Sequence, residues 1–287
     1  MTGLFVKNAF LRTPAFDALY ALVEEAAQAE GVTLLSVDSA SLATPLDEPP
    51  PRADFALFWD KDVTLAARLA ASGIPVFNSP ETIRICDSKA ETAIALRTAD
   101  VRTPRTVLAP LTYEGVGYSD LSFVQDACRT LGLPLIIKEA YGSFGEQVYL
   151  AKSEEEALAI AARIGARPFL MQEFIAAAFG TDVRVNVVGD KVISAMRRYG
   201  KEGDFRSNIG AGGRGEAYTP TDAECVLAIA AARAVGAHFA GVDILSGEGG
   251  VPYVCEVNSN PLFVGSYHAT GINLARPILA HVKQQIG

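Results

Sequence analysis

Phe239-Ala240-Gly241-Val242-Asp243-Ile244-Leu245 is followed, after a polar break, by Tyr253-Val254-Cys255-Glu256-Val257-Asn258. Both runs are rich in β-branched and aromatic residues and read as strands. Residues two apart on a strand share a face, so Glu256 and Asn258 point to one side. Asp243 on a neighbouring antiparallel strand would set a second carboxylate opposite them. Two carboxylates and an amide carbonyl are hard oxygen ligands, suited to Mg²⁺ shared with nucleotide phosphates. The bland alternative is a solvated polar face. Against it, Val242, Ile244, Val254 and Val257 surround these groups, and a charge held among apolar neighbours needs a partner.

Upstream, Asp182 to Val188 and Lys191 to Arg198 form a hairpin pattern around Gly189-Asp190. Arg184 follows Asp182 by two and shares its strand face. The polar stretch from Gly200 to Gly215 is long for a turn and reads as a functional loop. Arg198, Arg206, Ser207 and Asn208 lie at or in it, where guanidinium forks could neutralise a transferring phosphoryl group. Arg197 reads as a solvated strand-edge residue. Further upstream, Lys138 ends a strand (Leu135 to Glu139) and precedes Gly142-Ser143-Phe144-Gly145. A glycine loop between strands can lay backbone N–H groups over phosphates while a lysine supplies fixed charge. Taken alone that signal is weak, since hairpins also carry glycines for positive φ. There is no Walker motif, and no GxGxxG follows the first strand.

The rest of the chain alternates short strands with alanine-rich helices, which predicts an α/β architecture, α+β towards the C-terminus. Strands are expected at Leu4–Lys7, Val32–Val37, Ala53–Trp59 and Ile74–Phe77, with helices at Ala15–Glu30 and Val63–Ser72. Next come a helix from Asp87 to Ala99, a strand near Arg105–Leu108 and a helix from Leu121 to Leu131. A strand from Gln147 to Ala151 precedes a helix opened by a capping box at Ser153-Glu154-Glu155-Glu156. After a strand at Phe169–Phe174, a later helix starts at Thr219-Pro220-Thr221-Asp222 with the proline in its first turn. A last helix covers Leu274–Gln285. His238, His281 and Trp59 read as structural, and Lys61 as a substrate contact or part of an ion cluster with Asp60 and Asp62.

The 287 residues are 49% hydrophobic and 20% charged, the composition of a folded chain. A net charge of −8 argues against nucleic acid, whose backbone calls for a basic footprint. No apolar run approaches the ~20 residues of a membrane span. The N-terminus lacks a signal-peptide pattern, and the four cysteines have no metal spacing. A reduced, cytoplasmic protein is expected.

Lys138 with its glycine loop, Met171-Gln172-Glu173-Phe174-Ile175, Gly180-Thr181-Asp182-Val183-Arg184, Arg206-Ser207-Asn208, Gly241-Val242-Asp243 and Glu256-Val257-Asn258-Ser259-Asn260-Pro261 occur in that order. The set resembles the ATP-grasp superfamily, and within it the RimK-like ligases that join amino acids, often glutamate, to a carboxylate. The resemblance runs from about Asp87 to the C-terminus. It implies an ATP-grasp fold behind an N-terminal α/β domain (1–86), then a lobe with a glycine-rich lid (87–178) and a C-terminal metal-bearing lobe (179–287).

It implies that Lys89, Lys138, Gly142, Ser143 and Gly145 contact ATP phosphates, with Glu173 and Phe174 at adenine and Asp182 at ribose. Arg206, Ser207 and Asn208 would lie beside the phosphates, and Arg198, Lys138 and Arg206 would be catalytic. Asp243, Glu256 and Asn258 would hold two Mg²⁺, with Mn²⁺ as a substitute. The implied reaction joins a small-molecule, peptide or carrier-protein carboxylate to an amino acid amine through an acyl phosphate, in a homo-oligomer. A dipeptide ligase, a peptide-modifying enzyme or a non-catalytic ATP-binding module are the alternatives. The sequence departs from the family at Asn260-Pro261-Leu262-Phe263, where Ser-Pro-Gly is usual. It departs again at Phe58-Trp59-Asp60-Lys61-Asp62, where an arginine-bearing loop is usual. Both regions border the acceptor site that the resemblance implies.

Overall fold

The computed structural model describes residues 1–143, 145–207 and 212–287. Asn208, expected beside the phosphates, lies outside the described residues. Among the described residues three sheets organise the chain.

The first contains β1 (Thr2–Lys7), α1 (Pro14–Ala29), β2 (Thr33–Asp38), β3 (Phe55–Trp59), α2 (Val63–Ala71) and β4 (Val76–Phe77). Its strands run parallel in the order β2-β1-β3-β4. A parallel sheet covered on both faces needs continuous apolar strands, and Phe-Ala-Leu-Phe-Trp of β3 is buried throughout. Leu4, Val6, Ala56 and Phe58 face the core under α2. Phe5, Leu57 and Trp59 face a second core with α1. Thr13 caps α1 by accepting from the Phe16 N–H, and Pro14 occupies its first turn.

The expected helix from Asp87 to Ala99 is found as α4 (Lys89–Thr98), and a separate helix that was not foreseen, α3 (Pro80–Asp87), precedes it. Ser79 and Ser88 each accept from the N–H three residues on, so each opens its own helix, and Ser88 is extended between them.

The second sheet gathers β5 (Thr106–Leu108), α5 (Ser122–Leu131), β6 (Leu135–Glu139), β7 (Val148–Ala151), α6 (Glu154–Ile164) and β8 (Phe169–Glu173). It is antiparallel in the order β5-β8-β6-β7, and both helices pack on one core with it. Ser153 caps α6, but the Glu156 carboxylate reaches the N–H of Lys152 rather than that of Ser153. The expected reciprocal box is therefore only half formed.

The third sheet holds β9 (Thr181–Val188), β10 (Lys191–Tyr199), β11 (Arg214–Ala217), α7 (Asp222–Ala234), β12 (Phe239–Ser246) and β13 (Pro252–Asn258), and α8 (Val264–Thr270) and α9 (Ala275–Ile286) end the chain. Its antiparallel order is β11-β10-β9-β12-β13. β11 and α8 were not foreseen. Both are short, and neither has an apolar period. α7 begins after Thr221, which forms a reciprocal capping box with Glu224, so Pro220 precedes the helix instead of lying in its first turn.

One face of the third sheet is apolar: Val183, Val185, Val187, Val242 and Ile244 pack against Ala228, Ala231 and Ala232 of α7. Strand alternation therefore places Asp182, Arg184, Asn186 and Asp243 on the other face. Beyond those polar residues the same face continues into Val188 and Phe239, which share a core with Phe5, Trp59 and α9. Asn78, fully buried after β4, donates to the carbonyls of Phe239 (2.8 Å) and Ser259 (2.7 Å) and accepts from the His238 N–H (2.7 Å). The first and third sheets are joined by a shared core and by this one amide.

Candidate functional site

Register brings the charged residues together. Asp243 pairs with Arg184 on one side and with Glu256 on the other, and Arg198 pairs with Asp182. Arg184 forks onto both oxygens of Asp243, with Nη2 2.8 Å from Oδ2. Arg198 forks onto Asp182, with Nε 2.6 Å from Oδ1, and also reaches Oδ2 of Asp243 at 2.9 Å. All four side chains are at least 90% buried. Two guanidiniums and two carboxylates give zero net charge, which is how a buried network is tolerated.

Their proton affinities divide for a physical reason. Burial pushes both carboxyls up. At Asp243 the Arg184 and Arg198 guanidiniums outweigh it and hold the group below its ordinary range. Asp182 has only the shared Arg198, with a hydrogen bond from Ser207, and stays above its ordinary range. Arg198 is desolvated, yet its two carboxylates raise its affinity for the proton further.

Gly241 makes the Arg184 geometry feasible. A Cβ there would stand 3.0 Å from Cδ of Arg184 and 3.0 Å from Cβ of Pro261.

Opposite lies a group of lysines. Lys138, at the end of β6 and 8% exposed, stands 3.5 Å from the Cys255 sulfur. The strand pairing slips between Asp243 and Ile244, and this bulge sets Cys255 and Glu256 together against Asp243. Lys89 holds the glycine loop, its Nζ 2.9 Å from the Gly142 carbonyl, and its own N–H donates to Ala140. Burial lowers the affinity of Lys89 for its proton, and the charge of Glu256 opposes that effect more than Lys138 and Lys61 add to it one by one. Lys61 reaches from the first sheet to Asp87 (2.7 Å) and to the Ser143 hydroxyl (3.1 Å). Arg206 donates to the Gly145 carbonyl (2.9 Å) while paired with Asp204 (2.9 Å). Gly142, Ser143 and Gly145 are thus held by Lys89, Lys61 and Arg206, one cation each.

Some expected residues meet other partners. The Glu173 carboxylate accepts from the Arg105 N–H at 2.8 Å, while Phe174 packs edge-on to Phe179 in the connection between the second and third sheets. Asp182, expected at ribose, is spent on Arg198 and Ser207. Arg197 covers the Tyr218 ring at 4.2 Å. Arg184, which shares the strand face of Asp182 as its spacing implies, bonds to Asp243, a contact that only register reveals. The sequence reading offered Lys61 two roles, and the ion-paired one is found, with Asp87 rather than Asp60 or Asp62. His238 and His281 touch, Nδ1 to Nε2 3.1 Å, where the first and third sheets meet.

The donor set suits a hard cation. Glu256 makes no hydrogen bond or ion pair among the described residues, although it stands in register with Asp243. Asn258 donates from Nδ2 to the Gly241 carbonyl at 3.3 Å, which leaves its amide oxygen available. Among the described residues no three His, Cys, Asp or Glu side chains converge as a metal cluster. An ion here would therefore depend on Asn258 and on ligand oxygens, as Mg²⁺ held by substrate phosphates does.

A model of the RimK-like ATP-grasp domain matches residues 86–282. A probable alpha-L-glutamate ligase 2 of Shewanella amazonensis is 46% identical over 157 residues, 54% of this chain and about half (52%) of that protein's length. An uncharacterised MG012 homologue of Mycoplasma pneumoniae is 31% identical over 266 residues, covering 91% of this chain and 92% of its own. Among solved structures, a RimK domain ATP-grasp protein of Sphaerobacter thermophilus superposes with a TM-score of 0.75 at 25% identity, over 98% of this chain and 99% of its own. D-alanine–D-alanine ligase of Bacillus anthracis, 18% identical, shares the fold with a TM-score of 0.74 over 100% of this chain and 97% of its own.

Proposed function

The chain belongs to the RimK-like ATP-grasp family, and on that premise we propose that it joins a carboxylate to the amine of an amino acid of the glutamate type, with ATP cleaved to ADP and phosphate. The observation that carries this reading is the meeting of Lys138 from the second sheet with β13 of the third, beside the neutralised Asp182–Arg184–Arg198–Asp243 network. Triphosphate would lie between them, with the adenine against Glu173 and Phe174 where the two lobes join. The N-terminal part (1–86) would help to form the acceptor side, and 87–178 and 179–287 would grasp the nucleotide. Asp243, Glu256 and Asn258 would hold Mg²⁺, which when bound neutralises phosphate charge. We place the reaction in the cytoplasm, with two ions and a homo-oligomeric enzyme.

An oxygen of the substrate carboxylate bonds to the γ-phosphorus as the bond to the β-phosphate oxygen breaks, which releases ADP and leaves an acyl phosphate. Lys138 and Lys89 offset the negative charge that spreads over the phosphoryl oxygens. Asp182 and Asp243 hold the Arg198 fork in a fixed direction, so its charge needs no reorganisation at the moment of transfer. Gly142, Ser143 and Gly145 cover the phosphates and keep water from the acyl phosphate. The neutral amine then bonds to the acyl carbon, the tetrahedral intermediate expels phosphate, and the ammonium proton goes to solvent. No protein nucleophile is required.

ADP release by the purified protein against pools of amino acids and acidic peptides, with mass spectrometry of the product, tests this reading. Amine-dependent ADP release with an amide product supports it. Release that ignores both substrates, or none with any pool, contradicts it.

A further inference from the structure

The turn that follows β3 is bonded to parts of all three sheets. The Asp60 carboxylate accepts from Asn8, which follows β1, at 3.0 and 3.1 Å, and from the Lys61 N–H at 2.7 Å. The Asp60 carbonyl accepts from Asn260 at 2.6 Å, two residues beyond Asn258 of β13. From this anchored backbone the Lys61 side chain reaches the connection between β6 and β7. There its ammonium donates to the Ser143 hydroxyl at 3.1 Å and pairs with Asp87 at 2.7 Å. Asp87 ends α3, and two residues on Lys89 holds the Gly142 carbonyl at 2.9 Å. Two lysines from separate parts of the chain thus hold adjacent residues of that connection.

The two contacts differ in what they leave behind. A carbonyl can only accept, so Lys89 fixes the backbone at Gly142 and nothing more. The Lys61 ammonium has three donors and no lone pair, so in its bond to Ser143 the hydroxyl oxygen must accept. The Ser143 hydrogen is then left to donate, and the charge of the ammonium strengthens it as a donor. A hydroxyl in that state suits an anionic acceptor. The Lys61 and Asp87 side chains are 48% and 26% exposed. An ion pair so open to solvent adds little to stability, and what it supplies here is direction.

The surroundings fit an anion. The charges of Lys61 and Glu256 both bear on the buried Cys86 thiol, and those of Lys61, Lys138 and Glu256 all bear on Lys89. Three lysines and the carboxylate of β13 therefore share one corner of the molecule. We propose that Lys61 is a positioning residue for the nucleotide: it turns the Ser143 hydrogen toward a phosphate oxygen and, through the Asp60 turn, ties that hydroxyl to the strand bearing Glu256 and Asn258. The inference rests on the ligase reading for its triphosphate. Lys61 acts through Ser143 and needs no contact of its own with the nucleotide.

The test is calorimetric binding of a non-hydrolysable ATP analogue with Mg²⁺ to the full chain, accompanied by melting temperatures. The variants are Lys61→Met, Lys61→Arg, Ser143→Ala and the double variant Lys61→Met/Ser143→Ala. Lys61→Met and Ser143→Ala should each weaken the analogue about tenfold, the scale of a hydrogen bond to a charged group. The double variant should bind no more weakly than Ser143→Ala, because both changes remove the same bond. Lys61→Arg keeps a charged donor and should recover most of the affinity, and every variant should melt with the wild type. Wild-type affinity in either single variant overturns the inference. So does a double variant weakened by the product of the two single effects, which would mean that Lys61 acts on the nucleotide by its own charge. A Lys61→Met variant that melts lower and is not rescued by arginine overturns it too, as a structural role would. If the wild type binds no analogue, the ligase reading falls and this inference with it; if the wild type binds and the variants depart from this pattern, the inference falls alone.

Discussion

Glu256 is the side chain whose freedom matters most. Asp243 is shared between two arginines, whereas Glu256 stands beside it without a partner among the described residues, close enough to Lys89 for its charge to act there. Glu256→Ala should therefore reduce amine-dependent ADP release at least a hundredfold while the melting temperature stays within about 2 °C, because no buried bond is lost. Asp243→Asn should behave differently. It leaves Arg184 and Arg198 short of a counter-charge and should cost about 3–5 kcal/mol in denaturant unfolding, in addition to activity. Sequence spacing was enough to place Glu256 and Asn258 on one face and to set Asp243 opposite. It could not show that Arg184 would occupy Asp243, because that contact depends on cross-strand register and on the bare Gly241 surface over which the arginine lies.

At the scale of elements, what was readable had a strong period or a specific cap. The β9–β10 hairpin announced itself through Gly189-Asp190, and the two faces of β9 through strict alternation. Short elements escaped. α3 hides behind a serine that both ends one helix and caps the next, and α8 has too few turns for an apolar stripe to appear. Two element-scale predictions separate packing from chemistry. Gly241→Ala drives a methyl group against Arg184 and Pro261. It should lower kcat about tenfold or more, with a stability loss of about 1–3 kcal/mol. Thr221→Ala removes the α7 cap on the far side of the sheet, should cost about 1 kcal/mol, and should leave kcat unchanged.

Across the whole molecule, the described residues form three sheets, and the proposed site lies where they meet. The first and third are joined by Asn78, by the Trp59–Phe239 stack and by the packing of Phe77 on His238, which in turn touches His281. Burial holds both imidazoles below their ordinary value of 6.5, and at His238 the neighbouring His281 adds to it. The unfolded chain then binds more protons than the folded one as pH falls through that value, so stability must fall with acidification. The unfolding midpoint should drop between pH 7.5 and 5.5, and His281→Gln should flatten that slope. An unchanged slope would remove the pair from the account. None of this junction was legible in the sequence, where the two histidines are 43 residues apart with nothing to pair them. The central claim is that Lys138 and the carboxylates of β12 and β13 act on one triphosphate. A crystal structure with Mg²⁺ and a non-hydrolysable ATP analogue tests it most directly. The account predicts β- and γ-phosphate oxygens within hydrogen-bond distance of Lys138 and Lys89, and an ion on Asp243, Glu256 and Asn258. A nucleotide seated elsewhere, or an ion that leaves Glu256 untouched, would contradict it.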